Sequence, residues 1–200
     1  MTNSLLRLAA ALATAVALTG CAALNHLPSE VASYGSWPAD RKPGSYAFER
    51  LPSQQARAEV QEKLEQAAAP ALEAAGFTRA ADAASADVVV QLGARVTGNE
   101  RYLYDDPIWW RGGVFYSRRG AYFNPFWFGP PTPTYDREVA ILIRDRKSGQ
   151  PLYETRASND GASPSIESLL PAMFAAAMAD FPTPAVSPRR VVTKIDPSKP

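Results

Sequence analysis

Few residues of this 200-residue chain have the chemistry of a reactive site. Its single cysteine is Cys21 and its single histidine is His26, so an internal disulfide is excluded and a metal site built on these residue types is not available. A Ser–His–acid triad would need His26, which lies in a proline-containing stretch near the chain start. The adjacent Asp105 and Asp106 precede Pro107, a pattern typical of a polar turn. We therefore expect no catalytic residues, no metal and no cofactor.

Carboxylates that folding brings together are the one catalytic alternative that the sequence leaves open. Glu138 and Asp160 are an example, because two neighbouring carboxylates can serve as general acid and general base. Such a hydrolase would need a pocket with clustered acids. The sequence contains no glycine-rich loop of the kind that binds phosphates, because Arg111-Gly112-Gly113 is too short to match that motif. The leading interpretation is a protein that is not an enzyme.

Cys21 closes a segment that is typical of a secretory signal. The segment has one basic residue, Arg7, followed by a run of Leu, Ala and Val from Leu8 to Leu18. This run is shorter than the roughly 20 apolar residues that span a bilayer. The sequence Leu18-Thr19-Gly20-Cys21 resembles the bacterial lipobox. The resemblance implies cleavage before Cys21 and acyl chains on it, and several chains together make a durable membrane anchor.

The lipobox interpretation sets an expected location. Residues 1–20 are then a lipoprotein signal peptide, and residues 21–43, rich in Pro, Ser and Gly, are a lipidated tether. In Gram-negative lipoproteins an aspartate after the cysteine usually retains the protein at the inner membrane. Ala22 stands there, so the resemblance favours the outer membrane, with the domain facing the periplasm. The alternative is an ordinary signal in which Cys21 is a passive small residue.

The charge balance bears on possible partners. The chain has 21 basic and 20 acidic residues, and removal of the signal with Arg7 leaves 21 − 1 = 20 basic against 20 acidic residues. A nucleic-acid binder draws its affinity mainly from neutralising phosphates, so we expect no nucleic acid. The expected partners are the membrane, through lipid on Cys21, and peptidoglycan, lipopolysaccharide or an envelope protein.

The periodic segments predict an α+β domain over residues 44–182. The expected elements are strands at 45–50, 87–97, 137–145 and 152–157, and helices at 53–76 and 165–180. The predicted architecture is a four-stranded mixed sheet with two helices packed on one face, in the order β-α-β-[insert]-β-β-α. Pro70 and Pro171 predict a kink or an interruption in each helix. The proline-rich residues 183–200 predict a disordered tail.

An aromatic insert occupies residues 100–134 of this domain. It holds 11 of the chain's 20 aromatic residues, interleaved with arginines, and so long an insert is often functional. Aromatic faces can stack on sugar rings, and arginines pair with carboxylates or phosphates. The candidate binding residues are Trp109, Trp110, Arg111 and Trp127. Three other interpretations stay open, in which the insert covers the exposed sheet face, extends the sheet as a hairpin, or contacts the membrane.

The landmarks of the domain resemble a known family. They are Gly44–Phe48, Leu72–Phe77, Ala86–Val90, Val139–Asp145 and the closing Phe181-Pro182. Together with the lipobox, they resemble the lipoproteins of the domain of unknown function 4136 family over Val31 to Pro182. Many relatives have a Trp where Tyr153 stands here. The resemblance implies an architecture and an envelope location, and it supplies no catalytic residues.

Overall fold

The computed structural model describes residues 25–99, 113–117, 120–124 and 133–195. The described strands are β1 (His26–Gly35), β2 (Ser45–Phe48), β3 (Thr78–Arg79), β4 (Val88–Asn99), β5 (Gly113–Ser117), β6 (Gly120–Asn124), β7 (Thr134–Asp145), β8 (Pro151–Gly161) and β9 (Arg189–Lys194). The described α-helices are α1 (Pro52–Gln55), α2 (Ala58–Ala74) and α3 (Leu170–Ala177). Within these ranges, no helix is long and apolar enough to cross a membrane.

Seven strands form one mixed sheet in the order β3-β2-β4-β7-β8-β1-β9. Strand β2 runs parallel to both of its neighbours, β3 and β4, and every other pairing in the sheet is antiparallel. Strands β2 and β4, which precede and follow α2 in the chain, are therefore parallel neighbours. Strands β5 and β6 form a separate two-stranded sheet inside the insert.

The predicted architecture is wrong in its size and composition. The sheet has seven strands where four were predicted, and the described residues form three α-helices where two were predicted. Two of the additional strands, β1 and β9, come from the stretches predicted as a tether (21–43) and as a disordered tail (183–200). The third, β3, is a two-residue strand that follows α2. The two termini of the domain thus pair with each other at one edge of the sheet.

The sequence of β1 explains why this strand was missed. It contains Pro28, and its inward positions alternate between apolar and hydroxyl side chains. In chain order these positions are Leu27, Ser29, Val31 and Ser33. A strand with one buried face normally has apolar residues at every second position. Two buried serines break that pattern, although all four side chains lie on the packed face.

The hydrophobic core lies between α2, α3 and one face of the sheet. Register places its central rows across β4, β7 and β8, with Val90 opposite Ile143 and Ile143 opposite Tyr153. Helix α3 contributes side chains that are fully buried against β1, β7 and β8. The largest buried apolar side chains are Tyr46, Tyr153, Phe77, Phe174, Leu72, Ile141, Ile143 and Met173.

Helix α2 ends where the sequence predicts. Gly76 adopts a φ of 93°, a left-handed conformation that L side chains disfavour, and the Phe77 amide donates to the Leu72 carbonyl at 3.1 Å. No break occurs at Pro70, because α2 is continuous through it. Pro171 instead lies in the first turn of α3, where a missing N–H leaves no intrahelical bond unmade.

Candidate functional site at the parallel edge of the sheet

The site residues predicted from sequence lie outside the described residues. These are Cys21, Trp109, Trp110, Arg111 and Trp127. Of the insert that carries four of them, the structure describes the β5–β6 hairpin and the base, where β4 and β7 remain paired as far as Asn99 and Thr134. The insert therefore leaves the sheet from two long, paired strands.

The carboxylates proposed as an acid–base pair do not face each other across the strands. Glu138 of β7 lies opposite Ser158, and Asp160 of β8 lies opposite Asp136. The Oε2 atom of Glu138 is 2.7 Å from the Nη2 atom of Arg95 on β4. The nearest charged partner of Glu138 in the described structure is thus a cation.

A pocket of about 550 Å³ opens at the edge of the sheet formed by β2 and β3, with Glu65 of α2 in its wall. Its volume lies in the range of pockets that hold small ligands. The polar and aromatic residues of its wall are Tyr46, Phe48, Arg50, Gln55, Glu65 and Arg79. We call this cavity the edge pocket.

A buried ion pair forms one wall of the edge pocket. Glu65 lies on the inward side of α2, next to the core residue Leu64, and is only 4% exposed. Arg50 donates to both of its carboxylate oxygens, from Nε at 2.6 Å and from Nη2 at 2.8 Å. These hydrogen bonds to Glu65 raise the pKa of Arg50. The bidentate geometry offsets the cost of burying the carboxylate and fixes both side chains.

Tyr46 contributes a buried phenol to the same wall. The residue is 0% exposed, and its hydroxyl has no hydrogen-bond partner. Burial raises the pKa of Tyr46; the positive charge of Arg79 opposes this rise, and Glu73 and Glu65 add to it. The hydroxyl therefore stays protonated at neutral pH. Leaving such a group unsatisfied costs about 1–3 kcal/mol.

Arg79 supplies a positive charge without a carboxylate partner. Its guanidinium carbon lies 5.5 Å from the centre of the Phe48 ring, within the range of a cation–π contact. Phe48 in turn packs edge to face on Tyr46, with centroids 5.2 Å apart. No ion pair in the described part of the chain includes Arg79. The charged residues of the wall are therefore Arg50, Arg79 and Glu65, with one positive charge in excess.

The backbone edge of β2 is open beside the pocket. Strand β3 pairs with β2 only at Ser45 and Tyr46, and its last bond runs from the Ala80 amide to the Tyr46 carbonyl at 2.9 Å. On the other side, the Glu49 amide donates to Val90 of β4. Peptide groups alternate between the two sides of a strand. The N–H and C=O of Phe48 therefore point away from β4, beyond the end of β3.

Sequence reasoning did not single out these pocket residues. The buried positions of α2 are Gln61, Leu64, Glu65, Ala68, Ala71 and Leu72, whereas the apolar Val60 is 65% exposed. The sequence does contain one signal, Glu65. It lies two helical turns before the buried Leu72 and thus on the same packed side of α2, where a carboxylate is unusual. Across the described ranges, no group of three or more His, Cys, Asp and Glu side chains could hold a metal ion.

Comparison with known proteins identifies a family and a distant fold relative. A family model described as a domain of unknown function (DUF4136) matches residues 30–183, more than half of the chain. A PDZ domain protein from Parabacteroides distasonis is 15% identical, with a TM-score of 0.52 over 84% of this chain and 39% of that chain. At this identity the likeness shows a shared fold alone, and our chain spans only 39% of the length of that protein.

A second solved structure is less similar. PelC from Paraburkholderia phytofirmans, solved as a dodecamer, is 13% identical, with a TM-score of 0.39 over 78% of this chain and 99% of that chain. No curated protein has a sequence similar enough to count as a match.

Proposed function

This chain belongs to the domain of unknown function 4136 family, and from that premise we propose that it is a lipid-anchored envelope lipoprotein whose domain is a non-catalytic binding module. The proposed anchor is Cys21, for which the support is the lipobox-like Leu18-Thr19-Gly20-Cys21 behind a short apolar run. Ala22 favours the outer membrane, with the domain in the periplasm.

The hydrogen bonding of Glu65 favours a binding role over a catalytic one. A carboxylate that serves as a general base or a nucleophile needs a free oxygen that faces the substrate. Both oxygens of Glu65, the one carboxylate in the pocket wall, already accept hydrogen bonds from Arg50. The same pair makes its part of the wall rigid and leaves the charge of Arg79 unbalanced, which suits recognition of a ligand.

The insert is the second proposed recognition surface. Trp109, Trp110, Arg111 and Trp127 combine flat apolar faces with a guanidinium, a composition enriched where proteins bind their partners. The insert emerges from β4 and β7, which pair along 12 residues each. Peptidoglycan, lipopolysaccharide and an envelope protein are the proposed partners.

Retention on envelope fragments tests the binding role. Alanine variants of Trp109, Trp110 and Trp127 are compared with wild type in two measurements, thermal unfolding and co-sedimentation with isolated envelope fragments. We expect retention to fall at least about tenfold, as for the loss of an interface anchor, with nearly unchanged melting temperatures. Lower melting temperatures with undiminished retention would contradict the proposal and assign these residues to structural cover. Tyr34→Ala, at an exposed aromatic of β1, is the matched control.

A further inference from the structure

We propose that the edge pocket binds a short extended peptide that carries a carboxylate. In this arrangement the peptide backbone pairs with the open edge of β2 at Phe48, and its carboxylate lies against Arg79. The inference rests on the proposed binding role and names the ligand class of the edge pocket. It does not depend on the insert.

The open strand edge supplies the backbone recognition. Beyond Tyr46, β2 has no paired strand on the β3 side, where the segment after β3 and the short turn at Ala83–Ser85 lie beside it. The outward N–H and C=O of Phe48 take part in no backbone pairing there. One donor and one acceptor on the same residue match one peptide unit of an added strand. A lone anion would satisfy only the N–H of this pair. The edge therefore selects for an amide backbone.

The charges of the wall supply the second element of recognition. Glu65 is already neutralised by Arg50, whereas Arg79 has no carboxylate partner in the described structure. An incoming carboxylate would complete the missing ion pair of Arg79. The hydroxyl of Tyr46 has no hydrogen-bond partner but is fully buried, so the proposed contact with the carboxylate is made by Arg79. An incoming cation would find no free carboxylate in the wall to bind.

The position of the opening is consistent with an extended ligand. The pocket is lined by β2, by the segment that leaves β3 at Ala80 and Ala81, and by Arg50 and Gln55 near α1. Its volume of about 550 Å³ exceeds that of a single acetate or phosphate ion and suits a peptide of about three small residues. Peptide pairing along β2 would extend the sheet where β3 stops.

Three probes separate the elements of this recognition. The full chain in detergent is titrated by calorimetry with N-acetyl-trialanine as the free acid, with N-acetyl-trialanine amide, and with acetate. The free acid should bind. The amide, which lacks the charge that pairs with Arg79, should bind about tenfold more weakly or worse. Acetate, which lacks the backbone, should bind more weakly still.

Matched variants locate the site. Arg79→Gln should weaken binding of the free acid by about tenfold or more and remove the difference between acid and amide. Arg79→Lys, which keeps the charge, should restore part of that difference. Arg190→Gln, at an exposed arginine on the opposite edge strand β9, should leave the titration unchanged. Melting temperatures of all three variants, measured alongside, should stay within a few degrees of wild type.

Three results would overturn the inference. The first is equal binding of the free acid and the amide. The second is acetate binding as tight as that of the peptide, which would indicate a simple anion site. The third is the absence of any peptide binding. These outcomes are separate from failure of the proposed function, because the titration involves neither Cys21 nor the tryptophans of the insert. Normal envelope retention with no peptide binding would remove the peptide ligand and leave the binding role in place.

Discussion

Trp37 and Phe181 pack edge to face, with ring centroids 4.9 Å apart and ring planes at 73°. Phe181 also contacts Phe77 at 5.1 Å and Tyr153 at 5.2 Å, and the indole N–H of Trp37 donates to the Arg41 carbonyl at 2.8 Å. The residues that follow β1 are thereby fastened to those that follow α3. The segment between Gly35 and β2 is thus part of the domain, where the sequence predicted a tether.

This contact predicts a large effect of Trp37→Ala on stability. Replacing a buried Trp by Ala typically costs 3–5 kcal/mol, and the half-buried Trp37 should cost roughly 2 kcal/mol or more in unfolding free energy. Urea unfolding followed by circular dichroism measures the change. Tyr34→Ala, at a side chain that is 56% exposed, should change it by no more than about 0.5 kcal/mol. Equal values for the two variants would mean that the cluster contributes little.

The strands that could be predicted are those whose packed face is uniformly apolar. Val88, Val90 and Leu92 of β4 alternate cleanly, as do Val139 and Ile141 of β7, and the structure buries all five. The missed strands lie at or near the sheet edges. They bury fewer side chains or use hydroxyl residues inward, and their pairing is decided by tertiary contacts that a local pattern does not contain.

The core of α3 offers a direct test of helix packing. Phe174 is fully buried among the strands and α2, so Phe174→Ala should lower the unfolding free energy by about 3–5 kcal/mol. Val60→Ala, on the exposed side of α2, should lie within about 0.5 kcal/mol of wild type. A Phe174 variant within about 1 kcal/mol of wild type would contradict the placement of this helix.

The ion pair of the edge pocket predicts strong coupling between two side chains. Glu65→Gln alone should lower the unfolding free energy by about 1–3 kcal/mol, because a charge-assisted bidentate contact is lost at a buried position. In a double-mutant cycle with Arg50→Gln, the two effects should be non-additive by about 0.5 kcal/mol or more. Additive effects would show that the pair does not stabilise the wall.

The lowered pKa of Asp145 predicts that the domain loses stability as the pH falls. The Ser148 amide, the Arg41 guanidinium and the Ser148 hydroxyl all donate to its carboxylate and hold its pKa well below the ordinary value. The carboxylate therefore contributes stability above its unfolded pKa, about 3.9, and this contribution is lost as the pH falls below that value. Unfolding free energies between pH 6 and about pH 2.5 should thus decline more steeply for wild type than for Asp145→Asn. Parallel curves would contradict this assignment.

The edge pocket was harder to predict than the fold. Its residues come from separate places in the chain: β2, the turn before α1, α1 itself, α2, and β3 with the segment that follows it. None of them forms a motif with its neighbours in sequence. Glu65 was visible as a charge on the packed stripe of a helix, but its partner Arg50 is identified only once β2 and α2 are placed together. The proposed lipid anchor differs from the edge pocket in this respect, because Cys21 is predicted from a motif of adjacent residues.

The mass of the mature N-terminus is the most direct test of the central claim, that the protein is held at a membrane by lipid on Cys21. The full chain is expressed in a Gram-negative host, extracted from membranes and digested, and the N-terminal peptide is analysed by mass spectrometry. We predict a peptide that begins at Cys21 and carries the added mass of a diacylglyceryl group and an amide-linked acyl chain, and Cys21→Ala should abolish it. A mature chain that begins after Ala23, or an unmodified Cys21 in a processed protein, would contradict the account.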